Sequence, residues 1–241
     1  MELVIIGLGY VGLPLALEFA KRHSVIGFDT SDQRVTELNR GLDRNREYST
    51  NELLRSRIKY TSDPSIIDGK DIYILCVPTP IDSAKVPDTR LLETAAELVG
   101  ARMRRGSLVV IESTVYPGLT SQVLAPILES VSGLTFNVDF YMGYSPERID
   151  PGNKVQKLTN TTKIVAGSNE EVTKQLESLY GSIIKAGIHV ASSIEVAEAA
   201  KVIENIQRDL NIALANEFSM IFDRMGIDRS EEHTSELQSQ R

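Results

Sequence analysis

The sequence predicts an α/β fold, a doubly wound and mostly parallel sheet followed by one long helix. Three observations carry this. An apolar run, Leu3 to Ile6, meets Gly7-x-Gly9-x-x-Gly12, and a helical pattern follows through Leu15, Leu17, Phe19 and Ala20. Near-continuous apolar runs such as Asp71-Ile-Tyr-Ile-Leu-Cys-Val77 and Ser107-Leu-Val-Val-Ile111 belong to strands buried on both faces. Helical segments alternate with such runs, the arrangement that builds a parallel sheet with helices on both sides.

Taken in order, the second strand is Val25 to Phe28, and Ser31 or Asp32 can cap a helix that runs to about Arg40. A polar stretch from Asp43 to Ser56 reads as a loop plus a short helix from Thr50 to Arg57. A weak strand (58–61) and a helical turn (63–67) precede the strand 71–77, which Pro78-Thr-Pro80 stops. Asp88 is expected to cap a helix to about Arg104. After the strand 107–111, Pro117 is expected to open a helix to about Val131, and Val138 to Gly143 reads as a strand closed by Ser145-Pro-Glu-Arg148. A strand (163–166), a helix (170–180) and a short strand (188–191) follow. From Ser193 to Met225 the pattern is helical throughout, with Ser192 or Ser193 as cap and Gly226 as stop. The second half of that helix is apolar almost all round (Ile212, Leu214, Phe218, Ile221, Phe222), which predicts cover by a second domain or a partner subunit.

A strand, a glycine turn and a helix in succession form the context in which G-x-G-x-x-G means dinucleotide binding, so the turn Gly7 to Gly12, with Tyr10 and Val11 inside it, is the expected pyrophosphate site. Gly7 permits the tight turn, Gly9 lets the backbone approach the phosphates, and Gly12 lets helix and strand pack closely. The helix N-terminus adds unpaired N–H groups and partial positive charge. Asp29 closes the second strand, where a carboxylate accepts hydrogen bonds from the adenosine ribose and disfavours a 2′-phosphate, so the expected cofactor is NAD rather than NADP. Gly7, Asp29, Thr79, Thr114 and Glu147 all fall at carboxyl ends of predicted strands, where ligands of such sheets bind. Lys201, Asn205 and Arg208 share one face of the long helix, and a Lys–Asn pair one turn apart can stabilise an oxyanion.

The chain has 241 residues, a formal net charge of −7 and one cysteine. The acidic balance argues against nucleic-acid partners and for a cytoplasmic protein. One cysteine excludes a disulfide framework and a multi-cysteine metal site, and no metal is expected. No apolar run approaches the roughly 18 residues of a membrane helix, and there is no basic leader. Asn160-Thr-Thr162 matches a glycosylation acceptor only by chance. Cys76 reads as core packing, and no histidine is given a role.

Together, GLGYVGLPLA with Asp29, CVPTP, ESTVYPG, SPERIDPG and AKVIENIQRDLNIALANE resemble the UDP-glucose/GDP-mannose dehydrogenase family over residues 1 to 228. The last two segments look most like the branch acting on UDP-N-acetylhexosamines. The resemblance implies a cytoplasmic enzyme that oxidises the C6 alcohol of a UDP-sugar to the uronic acid, with two NAD, for surface polysaccharide precursors. It implies that Asp29 holds the ribose, that Arg34 lies near the adenosine and that Thr79 contacts the cofactor. It assigns Thr114 to a catalytic water, Glu147 to general-base chemistry on a thioester, and Lys201 and Asn205 to the oxyanion. Glu147, Arg148, Lys201 and Asn205 would face the substrate, and the long helix would form a homodimer in the full-length parent.

The family's nucleophilic cysteine lies beyond the long helix, in a part that nothing here matches. The expected organisation is therefore an NAD-binding domain (1–192), the central helix (193–226) and a tail (229–241) resembling the translation of a sequencing adapter. Such a fragment is expected to bind NAD without turnover. The competing readings are a 6-phosphogluconate or β-hydroxyacid type dehydrogenase, which performs one oxidation without a cysteine, and a non-catalytic NAD-binding module.

Overall fold

The computed structural model describes residues 1–148 and 158–227. Among these residues eight strands follow the predicted order: β1 (Glu2–Ile6), β2 (Ser24–Phe28), β3 (Lys59–Thr61), β4 (Ile72–Leu75), β5 (Leu108–Ile111), β6 (Tyr141–Tyr144), β7 (Lys163–Gly167) and β8 (Ile188–Val190). They make one sheet in the order β3-β2-β1-β4-β5-β6-β7-β8, parallel throughout except between β6 and β7. The chain moves outward from β1 to β2 and β3, then returns to the other side of β1 as β4. The crevice between the carboxyl ends of β1 and β4 is thus the switch point of the sheet, where ligands bind.

Alternation explains why these strands read as unbroken apolar runs. Leu3 and Ile5 of β1, Ile72 and Ile74 of β4, and Leu108 and Val110 of β5 enter one apolar core. Val4, Ile6, Tyr73, Leu75, Val109 and Ile111 enter the other, so both faces of the central strands are buried.

Seven α-helices accompany the sheet among the described residues: α1 (Gly12–Phe19), α2 (Asp32–Asn39), α3 (Thr50–Arg55), α4 (Arg90–Gly100), α5 (Ala125–Ser132), α6 (Glu170–Gly181) and α7 (Ile194–Met225). Ser31 caps α2 by accepting the Arg34 N–H, and Ser49 with Glu52 forms a capping box on α3.

Four predicted details differ. Asp88 does not cap α4; it lies too early, and its Oδ1 accepts the Arg90 N–H at 3.1 Å while the carboxylate pairs with the Arg90 guanidinium. That helix also ends at Gly100 rather than Arg104, because the Arg102 carbonyl turns away to accept the Gly69 N–H at 2.8 Å. Pro117 opens no helix. It sits in a turn with Gly118 (φ +94°), and Thr120–Leu124 forms a π-helical turn ahead of α5. Pro126 accounts for the wide turn, since it lacks an N–H for the carbonyl four residues back and its ring crowds that carbonyl. Finally, β6 starts at Tyr141 rather than Val138, because Asn137 is left-handed (φ +59°) and Asp139 folds its N–H back onto the Thr135 carbonyl.

The chain divides into two compact units, Met1–Ala200 and the residues from Lys201 onward, so the first turns of α7 belong to the first unit. At its start, Ser193 Oγ accepts the Val196 N–H. At its end, Gly226 is left-handed (φ +68°) and the Ile227 N–H bonds the Phe222 carbonyl. Within the second unit, Leu210, Ile212, Leu214, Phe218 and Ile221 are exposed. No described helix is long and apolar enough to cross a membrane. The expected tail, 229–241, lies outside the described residues, as do Ile149 to Gly152 of the SPERIDPG segment.

Candidate active site

The glycine turn occupies the switch point, and its three glycines meet three different surroundings. Gly7 has φ +91°, a conformation that L side chains rarely adopt, and its N–H bonds the Phe28 carbonyl of β2 at 2.9 Å. A Cβ on Gly12 would stand 1.8 Å from the Gly7 carbonyl oxygen and 3.1 Å from Cys76 Cβ, so only glycine lets α1 start this close to the sheet. A Cβ on Gly9 would meet nothing within 4 Å. Of the three glycines only this one faces open space, and no side chain caps the start of α1. This is the room a pyrophosphate needs.

Asp29 and Arg34 do more than flank the site. Asp29 Oδ2 accepts the Leu8 N–H at 2.9 Å, and Arg34 Nε donates to the Leu8 carbonyl at 2.9 Å. The two side chains thus hold the N–H and the carbonyl of one residue in the turn. Asp29 Oδ1 accepts the Ser31 N–H as well, at 2.9 Å. A carboxylate has about four lone-pair sites, so both oxygens keep capacity for the two ribose hydroxyls. Arg34 is buried, and its second anchor is Asp43, 3.0 Å from Nη2. Asp43 also accepts the backbone N–H groups of Asn45, Glu47 and Tyr48, so the polar stretch read as a loop is the support of Arg34. Arg34 Nη1 is buried without a hydrogen-bond partner among the described residues. An open glycine turn, a carboxylate at the end of β2 and a spare guanidinium nitrogen beside it fit an NAD.

Asp29→Asn is therefore expected to narrow the preference for NAD over NADP by roughly tenfold, the worth of about one charge-assisted hydrogen bond. It should also lower the melting temperature, because one of the two backbone N–H groups loses its acceptor. Titrations with both dinucleotides check this, and equal affinities in the unmodified protein would refute the role of Asp29.

At the neighbouring strand ends, Thr79 Oγ1 donates to the Thr114 carbonyl at 2.7 Å, joining the loops after β4 and β5. Ser113 Oγ donates to the Val77 carbonyl at 2.6 Å and doubles the link. The structure thus brings Thr79 and Thr114 together. Glu147 follows β6 and is nearly buried; Oε1 accepts the Arg148 N–H at 2.7 Å, and Oε2 lies 3.5 Å from Lys163 Nζ. Tyr10 is exposed on the turn, and Val11 is half-buried. Lys201 and Asn205 lie one turn apart on α7, in the second unit.

Cys76 lies in the apolar core, where burial pushes its thiol well above its ordinary range, with Glu112 adding to the rise. A protonated, buried thiol is not a nucleophile.

Sequence reasoning missed a buried group of side chains. Lys163 Nζ lies 2.5 Å from Glu112 Oε2, and the Tyr180 hydroxyl donates to Glu112 Oε1 at 2.6 Å. Glu112 read only as the end of an apolar strand and Lys163 only as the start of another. A signal existed, since lysine and glutamate are almost never fully buried unless paired. Burial raises the Glu112 carboxyl to about 7 despite the pull of Lys163. Burial alone would lower Lys163, but Glu112 and Glu147 outweigh it and the net shift is upward.

The description "UDP-glucose/GDP-mannose dehydrogenase family, NAD binding domain" matches residues 1–184, and the central domain of the same family matches 195–233. A UDP-N-acetyl-D-glucosamine 6-dehydrogenase of Salmonella typhi is 53% identical over 95% of this chain and 54% of its own length. A Pseudomonas aeruginosa protein of the same name is 50% identical over the same shares. Among solved structures, a UDP-D-ManNAc dehydrogenase from Pyrococcus horikoshii superposes with a TM-score of 0.89 at 36% identity, covering 96% of this chain and 56% of that one. The chain spans about half the length of the curated relatives it matches. These matches favour the nucleotide-sugar reading over the β-hydroxyacid one. The glycine turn, Asp29 and the strand-end residues stand in the domain so matched, and the chain belongs to the UDP-glucose/GDP-mannose dehydrogenase family.

Proposed function

We propose that this chain is the NAD-binding half of a UDP-sugar 6-dehydrogenase that converts the C6 alcohol of a UDP-N-acetylhexosamine to the uronic acid in the cytoplasm. The observation that carries the reading is the convergence of the glycine turn, Asp29 and the Thr79–Thr114 link at the carboxyl ends of β1, β2, β4 and β5, with Glu147 at the end of β6. NAD, when bound, supplies the oxidising power for the sugar alcohol. The protein's part is to hold and orient. Gly9 and the start of α1 receive the phosphates, Asp29 the ribose, and Arg34 the adenosine side. Thr114, its carbonyl fixed by Thr79, places its hydroxyl toward a water, and the Glu147 carboxylate takes a proton from that water. Lys201 and Asn205 stabilise oxyanionic charge, and Arg148 joins the substrate contacts. The exposed apolar residues of α7 are covered in the parent by a second copy of the helix, giving a homodimer.

Turnover needs a reactive thiolate, and Cys76 is the chain's single cysteine. The chain is therefore expected to bind NAD in a calorimetric titration yet produce no NADH with UDP-N-acetylglucosamine or UDP-glucose. The full-length parent should yield two NADH per sugar. Steady NADH production by the purified 241-residue chain would overturn the fragment reading, and absence of NAD binding would overturn the site.

A further inference from the structure

Two side chains of opposite preference meet at the glycine turn. A carboxylate beside the adenosine ribose favours NAD, whereas an arginine in that place accommodates the 2′-phosphate of NADP. Here Asp29 accepts the N–H of Leu8 and Arg34 donates to its carbonyl, each at 2.9 Å, so the two flank a single residue. A second arginine is near. Glu37 raises the Arg44 guanidinium above its ordinary range, and the Asp29 carboxylate adds a lesser share to that rise. One carboxylate beside two guanidinium groups does not by itself account for a choice of NAD. Each arginine, however, has a carboxylate of its own. Arg44 Nε donates to Glu37 Oε2 at 2.7 Å in a pair open to solvent, where water and salt screen both charges. Arg34 and Asp43 are different, because their side chains are 5% and 0% exposed and Nη2 lies 3.0 Å from Oδ1. The Asn45 N–H also reaches Asp43 Oδ1, and the Glu47 and Tyr48 N–H groups reach Oδ2. Four N–H donors thus close on the two oxygens and fix the carboxylate against the guanidinium. Water has no access to a pair so enclosed, and the charge of Arg34 is balanced by Asp43 rather than by solvent.

We infer that Asp43 is a second determinant of dinucleotide choice: it neutralises Arg34, so that Asp29 meets the ribose with no unbalanced buried charge beside it to attract a 2′-phosphate. This rests on reading the glycine turn and Asp29 as the cofactor site. Asp29 acts on the ribose directly, and Asp43 acts through Arg34. The pairing lets Arg34 hold the Leu8 carbonyl and serve the adenosine side without drawing NADP.

The test is calorimetric titration of the 241-residue chain with NAD and with NADP, read as the ratio of the two affinities. Asp43→Asn should raise NADP relative to NAD by about fivefold or more, because the guanidinium keeps its charge and loses its counter-ion. Glu37→Gln, which frees the exposed Arg44, should shift the ratio by less than about threefold. A merely structural role for Asp43 would weaken both dinucleotides alike and leave the ratio where it was. That result, or a larger shift from Glu37→Gln than from Asp43→Asn, overturns the inference. If Asp43→Asn does not fold, the Arg34→Met/Asp43→Asn double variant removes both buried charges together. Its ratio should stay within about threefold of that of the unmodified chain, since a balanced pair has little net charge to lose, and a larger change overturns the inference. Failure of the underlying reading is seen separately. An unmodified chain that binds neither dinucleotide removes the cofactor site, whereas one that binds NAD with a ratio unmoved by Asp43→Asn removes the role of Asp43 alone.

Discussion

Replacing Gly12 by alanine is expected to abolish NAD binding and to lower the unfolding free energy by about 3 kcal/mol or more. The new methyl carbon would stand 1.8 Å from the Gly7 carbonyl oxygen, and both partners are backbone, so no flexible side chain can yield. Relief requires α1 to move off the sheet, which withdraws Leu13 and Leu15 from the core they fill. Gly9→Ala supplies the contrast. Its methyl group enters open space, so the melting temperature should hold while cofactor affinity falls. Denaturant unfolding and NAD titration of the two variants check the pair. A Gly12→Ala protein of native stability, or a Gly9→Ala protein with undiminished affinity, would contradict the division of labour within the turn.

The second large effect is expected at Lys163. Methionine there leaves Glu112 buried without its cation, a loss of about 3–5 kcal/mol. Removing both charges together should cost much less than removing Lys163 alone, and equal losses would show that the pair is not coupled. The pH dependence has a definite sign. The Glu112 carboxyl is raised from 4.5 to about 7 in the folded chain, so its contribution is present below about 4.5 and is lost as the pH climbs through 7. Unfolding free energy should fall over that window by at most about 1.4 kcal/mol per pH unit from this group, and Glu112→Gln should remove that slope. Lys163 is raised too, which places its own loss above pH 10.5 and outside the window.

The legible parts of this molecule are those whose cause is local. Gly7, Gly9 and Gly12 stand within six residues, between an apolar run and a helix, and Asp29 closes the next strand, so one stretch of text carries the whole cofactor reading. The buried charges are different. Lys163 meets Glu112 across 51 residues and Tyr180 meets it across 68, and no periodicity links such positions. Asp43 was hidden for another reason: its polar neighbours read as a loop, though its carboxylate is fully buried beneath Arg34. At the π-helical turn the cue was present in Pro126, but Pro117 looked like the better helix opener. What tipped the balance was Glu198, a residue 80 positions after Gly118 that takes over its N–H.

That carboxylate has a consequence for the loop it closes. Glu198 accepts the N–H groups of Gly118 and Thr120 and the Thr120 hydroxyl, all within 3.0 Å. Glu112, at the other end, is bound to Lys163 and Tyr180. The segment carrying Thr114 is therefore a short bridge with both abutments fixed and two hydroxyl props, from Thr79 and Ser113, in its first half. A chain so short and so moored has few alternative shapes to surrender. Its conformational entropy is lost when the protein folds, not when a ligand arrives, so Thr114 meets each ligand already in place.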